Sequence, residues 1–150
     1  MTYLLTSGIL DVKVQFCRAR PGGDVISQTA EYALRAVTSL AVQNGEPLTT
    51  QQIAAAARVP AGYLSKVLQS LSRAGLVDSY RGLHGGFVLS HAPTELTVLD
   101  VVQAIDPIQR IHTCPLGIES HNPSLCPLHR TLDEALRLVE EEFKRTSIAE

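Results

Sequence analysis

A chain of 150 residues that is 45% hydrophobic and 19% charged has the balance of a soluble globular protein with one good core, which excludes a disordered chain. Its best apolar stretch, Leu96 to Ile105, is interrupted by Asp100 and falls short of the ~20 residues that span a bilayer, and the first 24 residues lack the basic start, apolar run and cleavage site of a secretory leader, so a cytoplasmic place follows by default. The formal charge of -2 conceals a division: residues 25–90 carry Arg35, Arg58, Lys66, Arg73 and Arg81 against Glu31, Glu46 and Asp78, a balance of +2, whereas residues 91–150 hold ten acidic and five basic side chains, a balance of -5.

Residues 1–24 show neither a helical nor a strand period and end in the breaker cluster Arg20-Pro21-Gly22-Gly23-Asp24. They read as a disordered or mis-assigned extension. Cys17 lies there and is assigned no role. From residue 25 to 92 the pattern is that of one small domain. Ser27 is placed to cap a helix whose apolar face is Ala30, Ala33, Leu34, Val37, Leu40 and Ala41, closed by Asn44-Gly45. Thr49 or Thr50 caps a second helix with Ile53, Ala54 and Ala57 inward. Pro60 disfavours helical geometry at Val59 and suits the first turn of a third helix, in which Leu64, Val67, Leu68 and Leu71 face the core. Gly75 stops that helix, Leu76 to Arg81 alternates like a strand, Gly82 to Gly86 reverses the chain and Phe87-Val88-Leu89 returns.

Two short helices, a tight turn and a glycine-tipped hairpin make a winged helix-turn-helix, in a fold that is mainly α with a small β-hairpin wing. The partner this implies is double-stranded DNA. The outer face of the third helix carries Gly62, Ser65, Lys66, Gln69 and Arg73, small, polar or basic groups that suit a major groove. At the wing, Arg81, Gly82 and His84 can meet the sugar-phosphate backbone or a minor groove, the competing reading being that the glycines serve only the turn. So few positive charges predict modest nonspecific affinity and two heads acting together.

Beyond the wing, Ala92-Pro93-Thr94 is a linker, and residues 93–127 form a connecting helix and a loop. Thr97 caps Val98 to Ile105, and Asp106-Pro107 ends it. Between Ile111 and His129 the chain turns rich in proline, cysteine and histidine, with Cys114 and Cys126 accompanied by His112, His121 and His129. Thiolates and imidazoles in a short loop suit zinc, iron or an iron-sulfur cluster, and a permanent disulfide is the weaker reading in a reducing compartment. A helix over 128–146 follows, with Leu132, Leu136, Val139 and Phe143 in a narrow stripe that suits a two-helix seam between the subunits of a homodimer, and residues 147–150 trail as a tail. The alternative is that the stripe packs on its own domain. Nothing near Cys114 or Cys126 supplies an oxyanion site or an activating elbow, so the chain does not read as an enzyme.

Four segments, Tyr32-Ala33-Leu34-Arg35-Ala36, Tyr63-Leu64, Ala74-Gly75-Leu76-Val77 and Arg81-Gly82-Leu83-His84-Gly85-Gly86-Phe87, together resemble the bacterial IscR/NsrR-type winged-helix repressors over roughly residues 25–146. The resemblance implies a dimeric transcription regulator whose long C-terminal helix forms the dimer and whose loop before that helix holds, in many members, an iron-sulfur cluster responsive to redox, iron or nitric oxide. It carries metal ligation to Cys114, Cys126 and Glu31, the last reaching over from the partner subunit, with His121 favoured as fourth ligand ahead of His112 or His129. Relatives commonly have three loop cysteines and this chain has two, with Ser120 and His121 standing about where a middle thiol is expected; mixed ligation favours a two-iron over a four-iron cluster. On the DNA side it carries contact to Gly62, Ser65, Lys66 and Arg81, with Ser65 departing from a glutamate used by some relatives. The resemblance also implies a start near Val25-Ile26-Ser27, where relatives begin, so that Val25 can correspond to an alternative GTG start codon and residues 1–24 to a stretch upstream of the true start. The competing reading keeps the DNA-binding scaffold without a cluster and uses Cys114 and Cys126 as a thiol switch or as zinc ligands.

Overall fold

The computed structural model describes residues 26–43, 45–82, 85–117 and 124–150. The assignments made to Cys17, Val25, Asn44, His84, Ser120 and His121 lie outside these residues. Among the described residues, five helices and a two-stranded hairpin build the winged helix-turn-helix that the sequence predicts.

Helix α1 (Gln28–Ala41) packs against α2 (Thr50–Ala57), α3 (Ala61–Arg73) and α4 (Val98–Ile105), and its buried face is Ala30, Ala33, Ala36, Val37 and Leu40. Three alanines in that face let neighbouring backbones come close, while Val37 and Leu40 supply the apolar area. The Ser27 hydroxyl oxygen accepts the Ala30 N–H, satisfying one of the donors that a helix start leaves unpaired. For α2 the cap is Thr49, not Thr50. Its side chain accepts the Gln52 N–H while the Gln52 carbonyl oxygen accepts the Thr49 N–H, a reciprocal capping box.

The turn into α3 runs through Arg58, which holds a left-handed backbone at φ 55°, and Pro60, whose carbonyl accepts the Tyr63 and Leu64 N–H groups. A left-handed non-glycine residue costs energy, and buried Val59 and Ala57 on either side hold it there. Leu64, Val67, Leu68 and Leu71 then close the core from below, joined by Ile53, Val77, Leu96 and Val101.

Strands β1 (Val77–Tyr80) and β2 (Gly86–Leu89) pair antiparallel, Val77 opposite Leu89 and Tyr80 opposite Gly86. Leu48 adds an isolated antiparallel bridge to β2, its N–H donating to the Phe87 carbonyl at 3.0 Å and its carbonyl accepting the Phe87 N–H at 2.8 Å. That bridge explains Gly86, because a Cβ there would lie 2.6 Å from the Leu48 carbonyl oxygen. At Gly82 the cause is conformational, with φ at 115°.

Helix α4 begins with a second capping box, between Thr97 and Asp100, and buries Val101 and Val102. Helix α5 (Pro127–Arg145) starts one residue earlier than the sequence pattern indicates, with proline in its first turn. What was expected to trail as a tail does not hang free. The Val98 N–H donates to the Thr146 carbonyl at 3.0 Å, the Ile148 N–H to the Leu96 carbonyl at 2.8 Å, and Ile148 packs against the core. The end of α5 is thereby sewn to the start of α4. No helix among the described residues is long and apolar enough to cross a membrane.

Candidate functional site

The outward face of α3 presents Gly62, Ser65, Lys66, Gln69 and Arg73 to solvent, as the 3.6-residue period requires once Leu64, Val67, Leu68 and Leu71 turn inward. The Ser65 hydroxyl donates back to the Ala61 carbonyl at 3.1 Å, which fixes its oxygen near the helix start with lone pairs still open. Arg81 and Gly82 are exposed at the end of β1, beside Tyr80, which is also exposed. One side chain to which the sequence reading assigns no role secures this surface. Tyr63, in the first turn of α3, forms a hydroxyl-hydroxyl hydrogen bond with Thr29 and meets the Tyr32 ring edge to face at 5.6 Å, so the start of α3 is fastened to α1. Its spacing after Pro60 was visible; its partner on α1 was not.

The second group lies where α5 begins. Cys126 is the N-cap of α5 and His129 is three residues on, so both point to the same side. Cys114 comes to them from the preceding segment. His129 Nδ1 is 3.2 Å from Cys126 Sγ and 3.8 Å from Cys114 Sγ, and both His129 and Cys114 are buried. Both thiols are free of disulfide. Two sulfurs around one tetrahedral metal ion and one nitrogen, with bonds of ~2.3 and ~2.0–2.1 Å, give sulfur-nitrogen separations of roughly 3.5 Å. The two observed separations bracket that value, and thiol and imidazole are donors that iron and zinc accept. Among the described residues, however, no group of three or more His, Cys, Asp or Glu side chains is arranged to hold a metal ion, Cys114, Cys126 and His129 included, so a metal centre here needs further donors.

Of the histidines weighed from sequence, His129 is the described one that joins the thiols. His112 is exposed. The signal for His129 was the Cys126-x-x-His129 spacing across a helix start. Glu31 stands on α1, half-buried and paired to Arg35 one turn along, with the Arg35 guanidinium 5.9 Å from the centre of the Tyr32 ring. Its partner within the protomer is therefore a cation, not the thiols.

The segment leading to Cys114 is tied to α5 by charge. Arg110 donates Nε to Asp133 Oδ1 at 2.7 Å and Nη2 to Oδ2 at 2.6 Å, and reaches Glu140 Oε2 at 3.3 Å with Nη1. The Ile111 N–H adds a bond to Asp133 Oδ1 at 2.9 Å. The Arg110 fork and that backbone donor hold the Asp133 carboxyl well below its ordinary value, at about 2.

Of the stripe Leu132, Leu136, Val139 and Phe143 that the sequence assigns to a subunit seam, Leu132 is exposed and the other three are partly covered by the protomer itself, as the alternative reading has it. Leu136, Val139 and Phe143 are half-buried, Leu136 facing a small cleft of about 170 Å³ beside Val102 and Ile108. Leu128, Leu132 and Ala135 are exposed on the adjoining face, and Leu138 at its edge; Leu128 is 63%, Leu132 46% and Leu138 53% accessible.

Comparison with known proteins places this geometry. Residues 26–150 match the family model Rrf2, described as an iron-dependent transcriptional regulator. A protein of Mycobacterium tuberculosis, named as the HTH-type transcriptional regulator Rv1287, is 33% identical over 129 residues, covering 83% of this chain and 80% of the relative. The solved structure of CymR (YrzC), the global cysteine regulator of B. subtilis, superposes with a TM-score of 0.68 at 25% identity over 85% of this chain and 95% of that one. IscR of T. potens superposes with a TM-score of 0.68 over 85% of both chains, and at 22% identity that likeness shows the fold.

Proposed function

The chain belongs to the Rrf2 family of transcriptional regulators, and from that premise we propose that it is a dimeric DNA-binding repressor whose operator affinity is set by the state of a Cys114, Cys126 and His129 centre holding iron as an iron-sulfur cluster. The observation that carries the reading is the convergence of two thiols on one buried imidazole at the N-terminus of α5. A bound cluster supplies a group whose oxidation or loss alters ligation. Everything else is done by the chain itself.

Each protomer offers Gly62, Ser65, Lys66, Gln69 and Arg73 to a major groove and Arg81 with Gly82 to the adjoining backbone or minor groove. Nineteen residues make α5 about 28 Å long, enough to cross a subunit boundary. Pairing through Leu128, Leu132, Ala135 and Leu138 removes from water an apolar face that the protomer leaves open. It also sets the distance between two reading heads, which must fit half-sites ~34 Å apart. Ligation at Cys114, Cys126 and His129 holds the segment before α5 in one position. Glu31 of the partner subunit and His121 are the further donors proposed for that centre, in line with the family resemblance. A shift of ~1–3 kcal/mol between two head spacings changes occupancy several-fold or more.

Anaerobic purification tests the assignment. Wild-type protein is expected to be brown, with iron and acid-labile sulfide, and His129→Ala and Cys114→Ala to lose both yet remain folded. A colourless wild type without iron contradicts it.

Two observations favour a second reading, in which the thiols act without a cluster: both sulfurs face the same nitrogen, and the similar CymR is the global cysteine regulator of B. subtilis. In that reading hydrogen peroxide oxidises one thiolate to a sulfenic acid and leaves as hydroxide; His129 takes the proton of the other thiol, whose sulfur attacks the sulfenic sulfur to close a disulfide, and the hydroxide displaced there receives that proton from His129 and leaves as water. Zinc held by the same donors is the redox-silent form of this alternative.

A further inference from the structure

We propose that Arg110 and Asp133 are positioning residues for the thiol-imidazole centre: their ion pair clamps the incoming segment to α5 and thereby holds Cys114 beside His129. The inference rests on the reading of Cys114, Cys126 and His129 as the responsive centre.

Three observations carry it. The first is geometry along the helix: Asp133 lies four residues beyond His129, one turn or ~6 Å further along the same face of α5. The second is reach along the chain, since Ile111 is bonded to Asp133 and Cys114 lies only three positions beyond Ile111, a span of at most ~11 Å. With Ile111 fastened there, Cys114 has little to choose from except the neighbourhood of His129, where its sulfur stands 3.8 Å from Nδ1. The third is the quality of the clamp. A two-pronged guanidinium-carboxylate fork with a backbone donor on the same carboxylate has a fixed orientation, and a third arm to Glu140 ties it to the next two turns. The side chains of Arg110, Asp133 and Glu140 keep only 19 to 25% accessibility, so water screens them less than an open surface pair.

Helix α5 also provides its own control. Arg137 pairs with Glu134 and Glu141, all on α5, so that pair strengthens the helix without holding the incoming segment. Removing it should leave the centre alone.

The experiment compares full-length wild type, Arg110→Ala, Asp133→Asn, Glu140→Gln and Arg137→Ala, all with Cys17→Ser. Two quantities are read: the rate at which a chromogenic disulfide reagent modifies Cys114, located by mass mapping, and the affinity for cobalt(II) followed by its thiolate absorption. Arg110→Ala and Asp133→Asn are expected to expose Cys114 to the reagent and to weaken cobalt binding by about 10- to 100-fold, the range for groups that orient metal ligands. Glu140→Gln should act in the same direction but less, and Arg137→Ala should match wild type. Folded Arg110→Ala or Asp133→Asn protein that shields Cys114 and binds cobalt as wild type does would overturn the clamp. Should Arg110→Ala fail to fold, Asp133→Asn and Glu140→Gln decide it. If wild type takes up no cobalt and its DNA affinity ignores thiol reagents, the centre itself is refuted, while protection of Cys114 still decides the clamp.

Discussion

Arg81 leaves the end of β1 with its guanidinium in solvent and Gly82 behind it, a position from which a long cation can enter a groove while the chain turns away. If it reads bases, Arg81→Ala should weaken specific operator binding by ~1–3 kcal/mol and relax preference at one or two positions, as a titration against a base-substituted operator series would measure. A loss that is equal on all sequences would make it a phosphate contact instead. At this scale the sequence was legible where a residue's role follows from its neighbours on one helix: the buried leucines of α3, the Ser27 cap and the Thr97 cap needed no partner from elsewhere in the chain. It was less legible where the role depends on a distant partner. Tyr63 meets Thr29 and Tyr32 across 34 and 31 positions, and nothing in periodicity announces that. His129 was one of three histidines weighed, and only the start of α5 shows why it, among the described ones, turns toward the sulfurs.

The wing and α5 are the elements on which the account depends most. In the wing, Gly86 is small because the Leu48 backbone passes against it, so Gly86→Ala should cost ~1–3 kcal/mol, the range for forcing atoms into a packed site, by displacing the Leu48 and Phe87 bridge. Chemical denaturation checks this, and an unchanged midpoint would mean that the bridge gives way at no cost. The Leu48 bridge was not foreseen, because one isolated pairing leaves no alternation to read. In α5, the exposed Leu132 and Leu138 predict that the double substitution Leu132→Asp with Leu138→Asp disrupts subunit pairing, each leucine contributing about 1.5–3 kcal/mol when buried. Sedimentation should show monomers with unchanged helix content, and a persistent dimer would place the seam elsewhere. The apolar stripe of α5 was evident from spacing alone, but its division into a half-buried and an open part follows from where α4 lies, and sequence period cannot supply that.

For the molecule as a whole, the connections run in one direction. The reading helix is fastened to α1 by Tyr63, α1 packs on α4, α4 is sewn to the end of α5 through Thr146 and Ile148, and the other end of α5 carries Cys126 and His129. In the proposed dimer, a change at the centre would therefore have a packed route to the spacing of the two heads. Acid should loosen this frame in a defined window. The Asp133 carboxyl titrates lower in the folded chain than in the unfolded one, so its pair with Arg110 contributes stability that is whole above the ordinary carboxylate value of 3.8 and is lost as pH falls through about 2. The difference in thermal midpoint between wild type and Asp133→Asn should hold steady at neutral pH and shrink below pH ~4, and a difference that persists at the acid end would contradict the ion-pair origin. The most direct test of the central claim is a titration of a DNA fragment from the region upstream of this chain's own coding sequence with anaerobic and with air-oxidised protein, wild type beside Cys114→Ala. The account predicts that the wild-type dimer binds that fragment with an affinity that differs several-fold between the two states, and that Cys114→Ala binds equally in both; equal wild-type affinity in the two states, or no preference for the fragment over unrelated DNA, would contradict it.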